Sequence, residues 1–428
     1  MAESVGSAID RETGLAIARE IARGAVWWGG MCAFVGAVPA PRLGLPPRQA
    51  VLGGDLSEGS AGIARFLGHA ARISGEDGLR GTALGALRHA LARAEGWSLH
   101  SGRLGPGLVG LELAQVLAEP ALVPPSVEAI ETASSEALAS AASGAAPADL
   151  LGGLAGVVHG LLEALPYDLD GGWLARALML GRSLLAAAEA APTGLAWPSV
   201  PGGREHLCGL GHGAAGVALA LSRLAALATG ESAWAEAAQA ARGFERGWFS
   251  PEDGSWADLR HDAMGPAGPS YPHFWCHGSV GIAQERLRAI AAGLDDPLCR
   301  ADATAALAAV AEDAERILSL PTGPGGGDRT NASLCHGLSG VVDLLAEADR
   351  LAPDPAALAL MRRITAFIRN DAGPERRWRS GIPGGGAMTP GLMLGSAGIG
   401  WAHLRADDPS LLPAGWTPRI AASLPGGD

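Results

Sequence analysis

The sequence contains no lysine, so arginine supplies all 32 of its basic side chains. The 44 Asp and Glu residues outnumber them, which gives a formal net charge of −12. An acidic chain without a clustered basic stretch is poorly suited to a polyanion, and we therefore expect no nucleic-acid partner. The lack of lysine also excludes the Gly-x-x-x-x-Gly-Lys-Ser/Thr loop that holds nucleotide phosphates. We therefore predict a protein that does not use ATP.

Long apolar runs and a regular cysteine framework are missing as well. No apolar run reaches the ~18 residues typical of a membrane span, and we expect no transmembrane segment. The first ten residues lack the charged and then apolar regions of a secretion signal, so a cytoplasmic location is expected. Five cysteines, odd in number and irregularly spaced, argue against a disulfide framework. They are Cys32, Cys208, Cys276, Cys299 and Cys335.

Glycine, in contrast, is abundant, with 63 residues in the chain of 428. Part of it belongs to a Gly-x-x-Gly motif that recurs at seven widely spaced positions, 46 to 65 residues apart, each followed directly by an apolar residue. Self-similarity of this kind indicates a repeat architecture, and the spacing leaves room for two helices and two loops per unit. The motifs begin at Gly59, Gly107, Gly153, Gly213, Gly278, Gly337 and Gly395.

The segments between the motifs are rich in Ala, Leu, Glu and Arg, which favour helices. Some are apolar throughout and predict inner, buried helices, whereas others carry charges at helical spacing and predict an outer, amphipathic layer. The inner set is 150–165, 217–226 and 341–351, and the outer set is 126–142, 234–247 and 301–318. Since convincing alternating strands are hard to find, we predict an all-α protein of seven helical hairpins.

A continuous repeat predicts one domain, which we place at residues 55–405. Residues 1–54 form an N-terminal extension with a predicted helix near 9–24. The Pro-rich residues 406–428 form a tail of the same domain, with irregular packing. The Gly- and Pro-rich residues 321–328 predict a loop.

Three of the motifs contain candidate functional residues, because a histidine stands directly before the first glycine. These histidines are His212, His277 and His336, and the last two directly follow Cys276 and Cys335. Two Cys-His pairs at equivalent points of a repeat predict a soft-metal site, with zinc the favoured ion. If the hairpins close into a ring, the equivalent loops converge on one end of its axis.

Several interpretations of these residues stay open at this point. Cys276, Cys335 and His336 would form an open Cys2His site with a fourth position for substrate. Adding His277 would close it into a structural Cys2His2 site, and a third possibility is that the cysteines are simply small buried hydrophobic residues. His212, in the equivalent position of the preceding repeat, is either a catalytic residue or a hydrogen-bonding residue of its loop.

Asp149 precedes Gly153 by four residues, in the repeat before His212. It is either a partner of the site or a helix N-cap, and Asp55, at the same offset before Gly59, favours the N-cap. Other residues near the motifs do not match their positions, and we interpret them as structural. They are His206, Cys208 and His273.

The motifs resemble those of the lanthionine synthetase C-like family, the cyclases of lanthipeptide biosynthesis. The resemblance is carried by Trp-Cys-His-Gly at 275–278, Leu-Cys-His-Gly at 334–337 and Gly-His-Gly at 211–213, and it covers roughly 50–405. The segment 244–260 is most similar to the cyclase domain of the bifunctional class II synthetases. The family's fold is an (α/α)7 double toroid of seven inner and seven outer helices, which the resemblance therefore implies.

The resemblance also implies site residues and a reaction. Cys276, Cys335 and His336 would bind zinc, His212 would be an acid/base with Asp149 as its partner, and His277 is the next candidate for that role. The substrate would be a dehydrated precursor peptide, whose cysteine thiolates add to dehydroalanine or dehydrobutyrine to form thioether rings. A separate or fused dehydratase would prepare it, since the dehydratase half of a class II enzyme has no counterpart here. We therefore expect an excised cyclase domain or a stand-alone protein.

One departure from the family concerns an arginine that stand-alone cyclases carry a few residues before the first cysteine. Residues 270–274 contain none, so its role is unassigned. Two other functions also remain open. The same site could add a small thiol such as glutathione to dehydroamino acids, or the protein could be a non-catalytic, zinc-bound scaffold for peptides.

Overall fold

The computed structural model describes residues 2–39, 45–227, 230–294, 297–322, 331–383 and 387–422. Within these residues the chain is mainly helical. The predicted loop at 321–328 lies outside the described residues beyond position 322. The helices are α1 (Ala2–Arg23), α2 (Ser60–Ser74), α3 (Asp77–Arg93), α4 (Leu104–Val116), α5 (Val123–Ala142), α6 (Leu154–Glu163), α7 (Gly172–Ala186), α8 (Ala214–Leu227), α9 (Ser232–Arg246), α10 (Ser279–Ala291), α11 (Pro297–Leu318), α12 (Leu338–Leu351), α13 (Pro355–Ala372) and α14 (Ser396–Asp407).

Short strands form five antiparallel ribbons of two strands each, and each strand pairs with its neighbour in sequence. The strands are β1 (Val26–Trp28), β2 (Met31–Ala33), β3 (Val35–Val38), β4 (Arg48–Val51), β5 (Glu189–Ala191), β6 (Gly194–Ala196), β7 (Phe249–Ser250), β8 (Ser255–Trp256), β9 (Met264–Gly265) and β10 (Gly268–Pro269). In the first ribbon Val26 lies opposite Ala33, and in the fourth Phe249 lies opposite Trp256. These ribbons connect helices and leave the all-α class unchanged.

The predicted division into inner and outer helices is confirmed by burial. In α6, every residue from Leu154 to Leu162 is buried, and α8 is buried without interruption from Ala214 to Ser222. The outer helix α9 instead buries one face, which includes Trp234, Ala241 and Phe244. A helix that is apolar all round must be enclosed by other helices, whereas an amphipathic one covers them.

Helices adjacent in sequence pack as hairpins, as predicted. This holds for α2 with α3, α6 with α7, α8 with α9 and α12 with α13. Arg286 of α10 pairs with Asp302 of α11, which joins a further hairpin. The outer partner of the last inner helix, α14, is α1, from the opposite end of the chain. The division into 1–54, 55–405 and 406–428 stays a prediction.

The chain forms two compact units. The first comprises residues 1–95, 105–129 and 314–428, and in it the inner helices α2 and α12 both pack against α14. The second comprises residues 96–104 and 130–313, and in it α8 packs between α6 and α10. Each unit thus has its own row of inner helices covered by outer ones.

The Pro-rich tail packs irregularly, as predicted, on a buried arginine of α2. The Arg65 guanidinium donates to the carbonyl oxygens of Gly415 and Thr417, at 2.5 and 2.7 Å. It also donates to the Ala414 carbonyl at 3.1 Å and pairs with the Glu112 carboxylate at 2.6 Å. Burial acts to raise the pKa of Glu112, but the charges and hydrogen bonds of Arg65 and His69 together outweigh it and lower that pKa to about 2. The tail is therefore held by charge-assisted hydrogen bonds in place of regular structure.

The Gly-x-x-Gly motif stands at the entry of the inner helices. Gly153 and Gly337 are the N-cap residues of α6 and α12, and only in α4 does the helix begin before its motif. A Cβ on the second glycine would overlap with the carbonyl oxygen six residues earlier, as at Gly281 with Trp275. The glycine therefore allows the first helical turn to lie directly on its own entry loop. None of the helices in the described part of the chain combines the length and apolar character needed to cross a bilayer.

Candidate active site

The loops that enter the inner helices are joined by a ladder of backbone hydrogen bonds. In the second unit, the Leu151 N–H donates to the Gly211 carbonyl and the Gly211 N–H donates to the Cys276 carbonyl, both at 3.2 Å. In the first unit, the Cys335 N–H donates to the Met393 carbonyl at 2.9 Å. These residues all stand two positions before the first glycine of their motif. Within each unit, equivalent positions of successive repeats are therefore neighbours in space.

Close approach of these loops requires glycine beside the first Cys-His pair. Gly209 has a φ of +109°, a conformation that L side chains rarely adopt. A Cβ at this position would lie 2.6 Å from the Cys276 carbonyl oxygen and 2.9 Å from the His277 Cα. The loop that carries His212 can therefore rest directly on the backbone of Cys276 and His277.

Cys276, Cys335 and His336 form the predicted group of metal-ligating side chains. Their candidate ligand atoms lie within 4.8 Å of one another, and both cysteines are half-buried. The His336 Nε2 donates to the Gly381 carbonyl at 3.1 Å, which makes Nδ1 the nitrogen with the lone pair. Metal-binding histidines commonly donate their second nitrogen to a carbonyl in this way. Two thiols and one imidazole suit zinc in particular.

His277 lies beside this group and outside it among the described residues. Its ring is buried, with Nδ1 at 3.4 Å from the Cys208 carbonyl oxygen and 3.9 Å from an Asp258 carboxylate oxygen. Burial, followed by the positive charge of Arg260, lowers the pKa of His277 to about 4. The geometry thus favours the open Cys2His arrangement over the closed Cys2His2 alternative.

His212 and Asp149 meet as the resemblance implies. The His212 Nδ1 lies 2.8 Å from the Asp149 Oδ2. Burial acts to lower the pKa of His212, but the hydrogen bond and charge of Asp149 outweigh it and raise that pKa. The His212 side chain is 43% exposed, so it can reach a substrate. Its ring stacks on that of His277 with centroids 6.0 Å apart.

Asp149 makes a second hydrogen bond in the loop just before α6, close to the N-cap position that the sequence suggests for it. Its Oδ1 accepts from the Gly152 N–H at 2.7 Å, and the N-cap of α6 is Gly153, without a side-chain cap. Asp55 makes the same kind of turn, because its Oδ1 accepts from the Glu58 N–H at 2.9 Å. Asp149 therefore closes its own loop with one oxygen and orients His212 with the other.

A pair of charged residues that the sequence motifs do not indicate, Asp258 and Arg260, lies near these histidines. Arg260 donates from Nε and Nη2 to the Asp258 carboxylate, at 3.0 and 2.6 Å. Asp258 is itself buried, and its N–H donates to the Ser270 carbonyl at 2.8 Å. Both residues lie within the segment 244–260 that carries the class II resemblance, which is the signal that could have drawn attention to them.

Another residue that the sequence motifs do not indicate, Glu245 of α9, holds the His212 loop from the outer layer. Its Oε1 accepts from the N–H groups of Gly209 and Ala215, at 3.0 and 2.9 Å. Its Oε2 pairs with the Arg286 guanidinium of α10 at 2.9 Å. All three side-chain and backbone partners are buried, and no periodic pattern in the sequence indicates that an outer helix performs this task.

The residues interpreted as structural have local partners. His206 pairs with Glu189 at 2.9 Å, and the His273 Nδ1 shares a hydrogen bond with the Ser279 Oγ at 2.6 Å. Cys208 is fully buried, which raises the pKa of its thiol well above the usual value. None of the three belongs to the metal-ligand group found among the described residues.

Comparison with known proteins places this site in a family. The family described as lanthionine synthetase C-like protein matches residues 50–416. Among solved structures, nisin cyclase aligns with a TM-score of 0.58 at 18% identity, over 82% of this chain and 88% of that chain. A GH76 alpha-mannanase of Bacteroides thetaiotaomicron aligns with a TM-score of 0.46 at 12% identity, over 94% and 95% of the two chains. No curated protein matches the sequence.

The two informative matches agree with each other and with the helices described above. Nisin cyclase is a helical toroid, and its similarity to this chain confirms the predicted fold class. The family match covers all seven Gly-x-x-Gly motifs and every residue of the candidate site. The chain therefore belongs to the lanthionine synthetase C-like family.

Proposed function

We propose that this protein is a zinc-dependent lanthipeptide cyclase. It would add cysteine thiolates of a peptide to dehydroalanine or dehydrobutyrine and so form thioether rings. The observation that carries the proposal is the Cys276, Cys335 and His336 group, together with the His212–Asp149 pair on the adjoining loop. The family match and the nisin cyclase fold support a lanthionine cyclase.

The donor set fits zinc by its chemistry. Two thiolates and one imidazole give three protein ligands, which is the number typical of a catalytic site with a position left for substrate. The hydrogen bond from His336 to the Gly381 carbonyl fixes the orientation of the ring. When bound here, zinc would supply a Lewis acid that favours the thiolate form of a substrate cysteine, whose free thiol has a pKa near ~8.5.

The side chains of this protein would then supply the proton that completes the addition. As the substrate sulfur bonds to Cβ, the Cα–Cβ π bond breaks and its electron pair moves toward Cα and the adjacent carbonyl oxygen. His212 would deliver a proton to Cα, and Asp149 favours the protonated imidazole that this step needs. General acid catalysis of this kind typically contributes ~10²–10⁴-fold in rate. His277 stays the second candidate for the same role.

The substrate of this reaction must already contain dehydroamino acids. We propose that another enzyme or domain dehydrates serine and threonine, because the sequence has neither lysine nor a nucleotide-phosphate loop. A dehydrated precursor peptide is therefore the proposed partner. The protein itself should return an unmodified precursor unchanged in the presence of ATP.

The test is incubation of the zinc-loaded protein with a dehydrated, cysteine-containing peptide, followed by thiol alkylation and mass spectrometry. Ring closure leaves the mass unchanged and removes one alkylatable thiol per ring. His212→Asn should keep its zinc and slow closure by about 10²- to 10⁴-fold. Cys299→Ala, which removes a buried cysteine outside the site, is the matched control and should cyclise normally.

Other outcomes would contradict the proposal in distinct ways. Addition of free glutathione in place of ring closure would identify an enzyme that uses small thiols. Tight peptide binding without any loss of alkylatable thiol, with zinc present, would identify a scaffold. Equal rates in the wild type and His212→Asn would remove His212 from the mechanism and make His277 the next residue to test.

A further inference from the structure

The Arg260 side chain is held by the buried carboxylate of Asp258. Two of its nitrogens bind Asp258 along one edge of the guanidinium, at 3.0 and 2.6 Å. The Asp258 side chain is 2% exposed, whereas that of Arg260 is 40% exposed. A planar guanidinium held in this way is fixed in position while part of it remains open to solvent.

Arg260 lies among the groups already assigned to the site. Its carboxylate partner Asp258 is 3.9 Å from the His277 Nδ1, and His277 stacks on His212. Next to burial, the charge of Arg260 is the main cause that lowers the pKa of His277, and it opposes the rise in the pKa of His212. The pKa of Arg260 itself is raised, first by its bond to Asp258. A positive charge, held by Asp258, thus lies close to the stacked histidines His277 and His212.

The proposed reaction creates a negative charge that His212 does not neutralise at once. When sulfur adds to Cβ, the displaced electron pair passes through Cα to the carbonyl oxygen of the dehydroamino acid, which becomes an enolate oxygen. Protonation at Cα by His212 returns that pair to carbon and restores the carbonyl. A fixed cation near the oxygen stabilises the intermediate state, and such preorganised donors are often the largest single contribution to catalysis.

We propose that Arg260 is a catalytic residue that binds the enolate oxygen formed from the substrate carbonyl, and that Asp258 positions it. The proposal rests on the proposed cyclase function. It requires no further reactant, because the sulfur–carbon bond forms as the π bond breaks and the proton comes from His212. Asp258 acts through Arg260 and is a positioning residue.

The first test uses binding rather than turnover. The thiol 3-mercaptopropionate has the same spacing from sulfur to carboxylate oxygen as the enolate adduct, and 3-mercaptopropionamide is its neutral counterpart. Calorimetric titration of the zinc-loaded wild type should show the carboxylate binding at least about tenfold tighter, as expected for a hydrogen bond to a charged group. Arg260→Met should reduce this preference to about onefold, and Arg260→Lys should restore part of it.

Matched variants separate this role from a structural one. Arg363 of α13 forms an exposed two-bond pair with Glu315 of α11, and Arg363→Met should keep the full preference. Arg260→Met leaves the buried Asp258 without its partner, so the double variant Asp258→Asn/Arg260→Met provides a folded comparison that should lose the preference equally. Retention of the carboxylate preference in either Arg260→Met protein would overturn the proposal.

The second test measures ring closure with the dehydrated peptide. Arg260→Met should lower kcat by about 10²-fold, with zinc content unchanged, whereas Arg363→Met should match the wild type. A normal kcat in Arg260→Met would refute the catalytic role. A wild type that shows the carboxylate preference and leaves the peptide open would contradict the proposed cyclase function while supporting Arg260 as an anion-binding residue.

Discussion

Asp149→Asn is the substitution that most directly tests the acid–base pair. Asparagine can keep the bond in which Oδ1 accepts from the Gly152 N–H at 2.7 Å, so the loop should remain in place. The other oxygen, 2.8 Å from the His212 Nδ1, becomes an amide that donates to the imidazole. A donor at this point favours the neutral ring, whereas the carboxylate favours the protonated one.

The expected magnitude follows from that one bond. A hydrogen bond to a charged group is worth about 1.5–3 kcal/mol, which corresponds to about 10- to 100-fold in rate if the bond is felt fully in the transition state. Since Asp149 raises the pKa of His212 in the wild type, the protonated acid persists below that pKa and is lost as the pH rises through it. In Asp149→Asn the pKa of His212 falls, so the loss of activity should begin at lower pH.

The assay is a pH–rate profile of ring closure, measured as kcat by thiol alkylation. Asp55→Asn is the matched control, because Asp55 makes the same turn in another repeat, with its Oδ1 accepting from Glu58 and Gly59. We expect the alkaline limb to move to lower pH only in Asp149→Asn. Identical profiles for Asp149→Asn and Asp55→Asn would refute the reasoning and return Asp149 to a turn-forming role.

Three further predictions concern the metal, the outer layer and the glycines. Cys335→Ala should lose most of the zinc, because a Cys2His site that loses one thiolate keeps only two protein ligands. His277→Ala should keep about one zinc per chain by metal analysis. Equal zinc loss in the two variants would favour the closed Cys2His2 site. Glu245→Gln removes one of the three carboxylates around Arg286, which keeps Glu285 and Asp302, and should lower the free energy of unfolding by about 1–3 kcal/mol in urea; an unchanged midpoint would contradict this. Gly281→Ala should destabilise the protein by about 1–3 kcal/mol, because the new Cβ overlaps with the Trp275 carbonyl. Gly81→Ala, in open space on α3, should be neutral or slightly stabilising. Similar thermal midpoints for the two variants would disprove the packing argument.

The inner helices and the group of candidate metal ligands could be predicted from the sequence because both depend on short-range patterns. A Gly-x-x-Gly motif marks a helix entry wherever the first turn must lie on its own loop, and Gly281 shows the contact that requires it. Cys276 and Cys335 were identified because they occupy the same place in that motif. Equivalent positions in a repeat have equivalent surroundings, so the repeated motif alone predicts that these residues lie close together.

Residues outside the motif could not be predicted in the same way. Glu245 acts on the His212 loop from an outer helix, and in the sequence it looks like any charged residue of an amphipathic helix. Arg260 follows β8 in an irregular connection, where no period relates it to Cys276. The pairing of α1 with α14 joins helices from opposite ends of the chain, and local helix propensity does not predict such a long-range contact.

The contrast between two histidines of the same motif position gives the strongest physical argument for their separate roles. His212 has a carboxylate at 2.8 Å, and its pKa is raised despite burial. His277 is buried beside the positive Arg260, and its pKa is lowered to about 4. Neighbouring titratable groups whose environments push their pKa values apart are a common basis of acid and base assignments. Because the proposed proton donor must hold a proton, the raised pKa of His212 supports the proposal that His212 has this role, although the sequence motif alone treats the two residues alike.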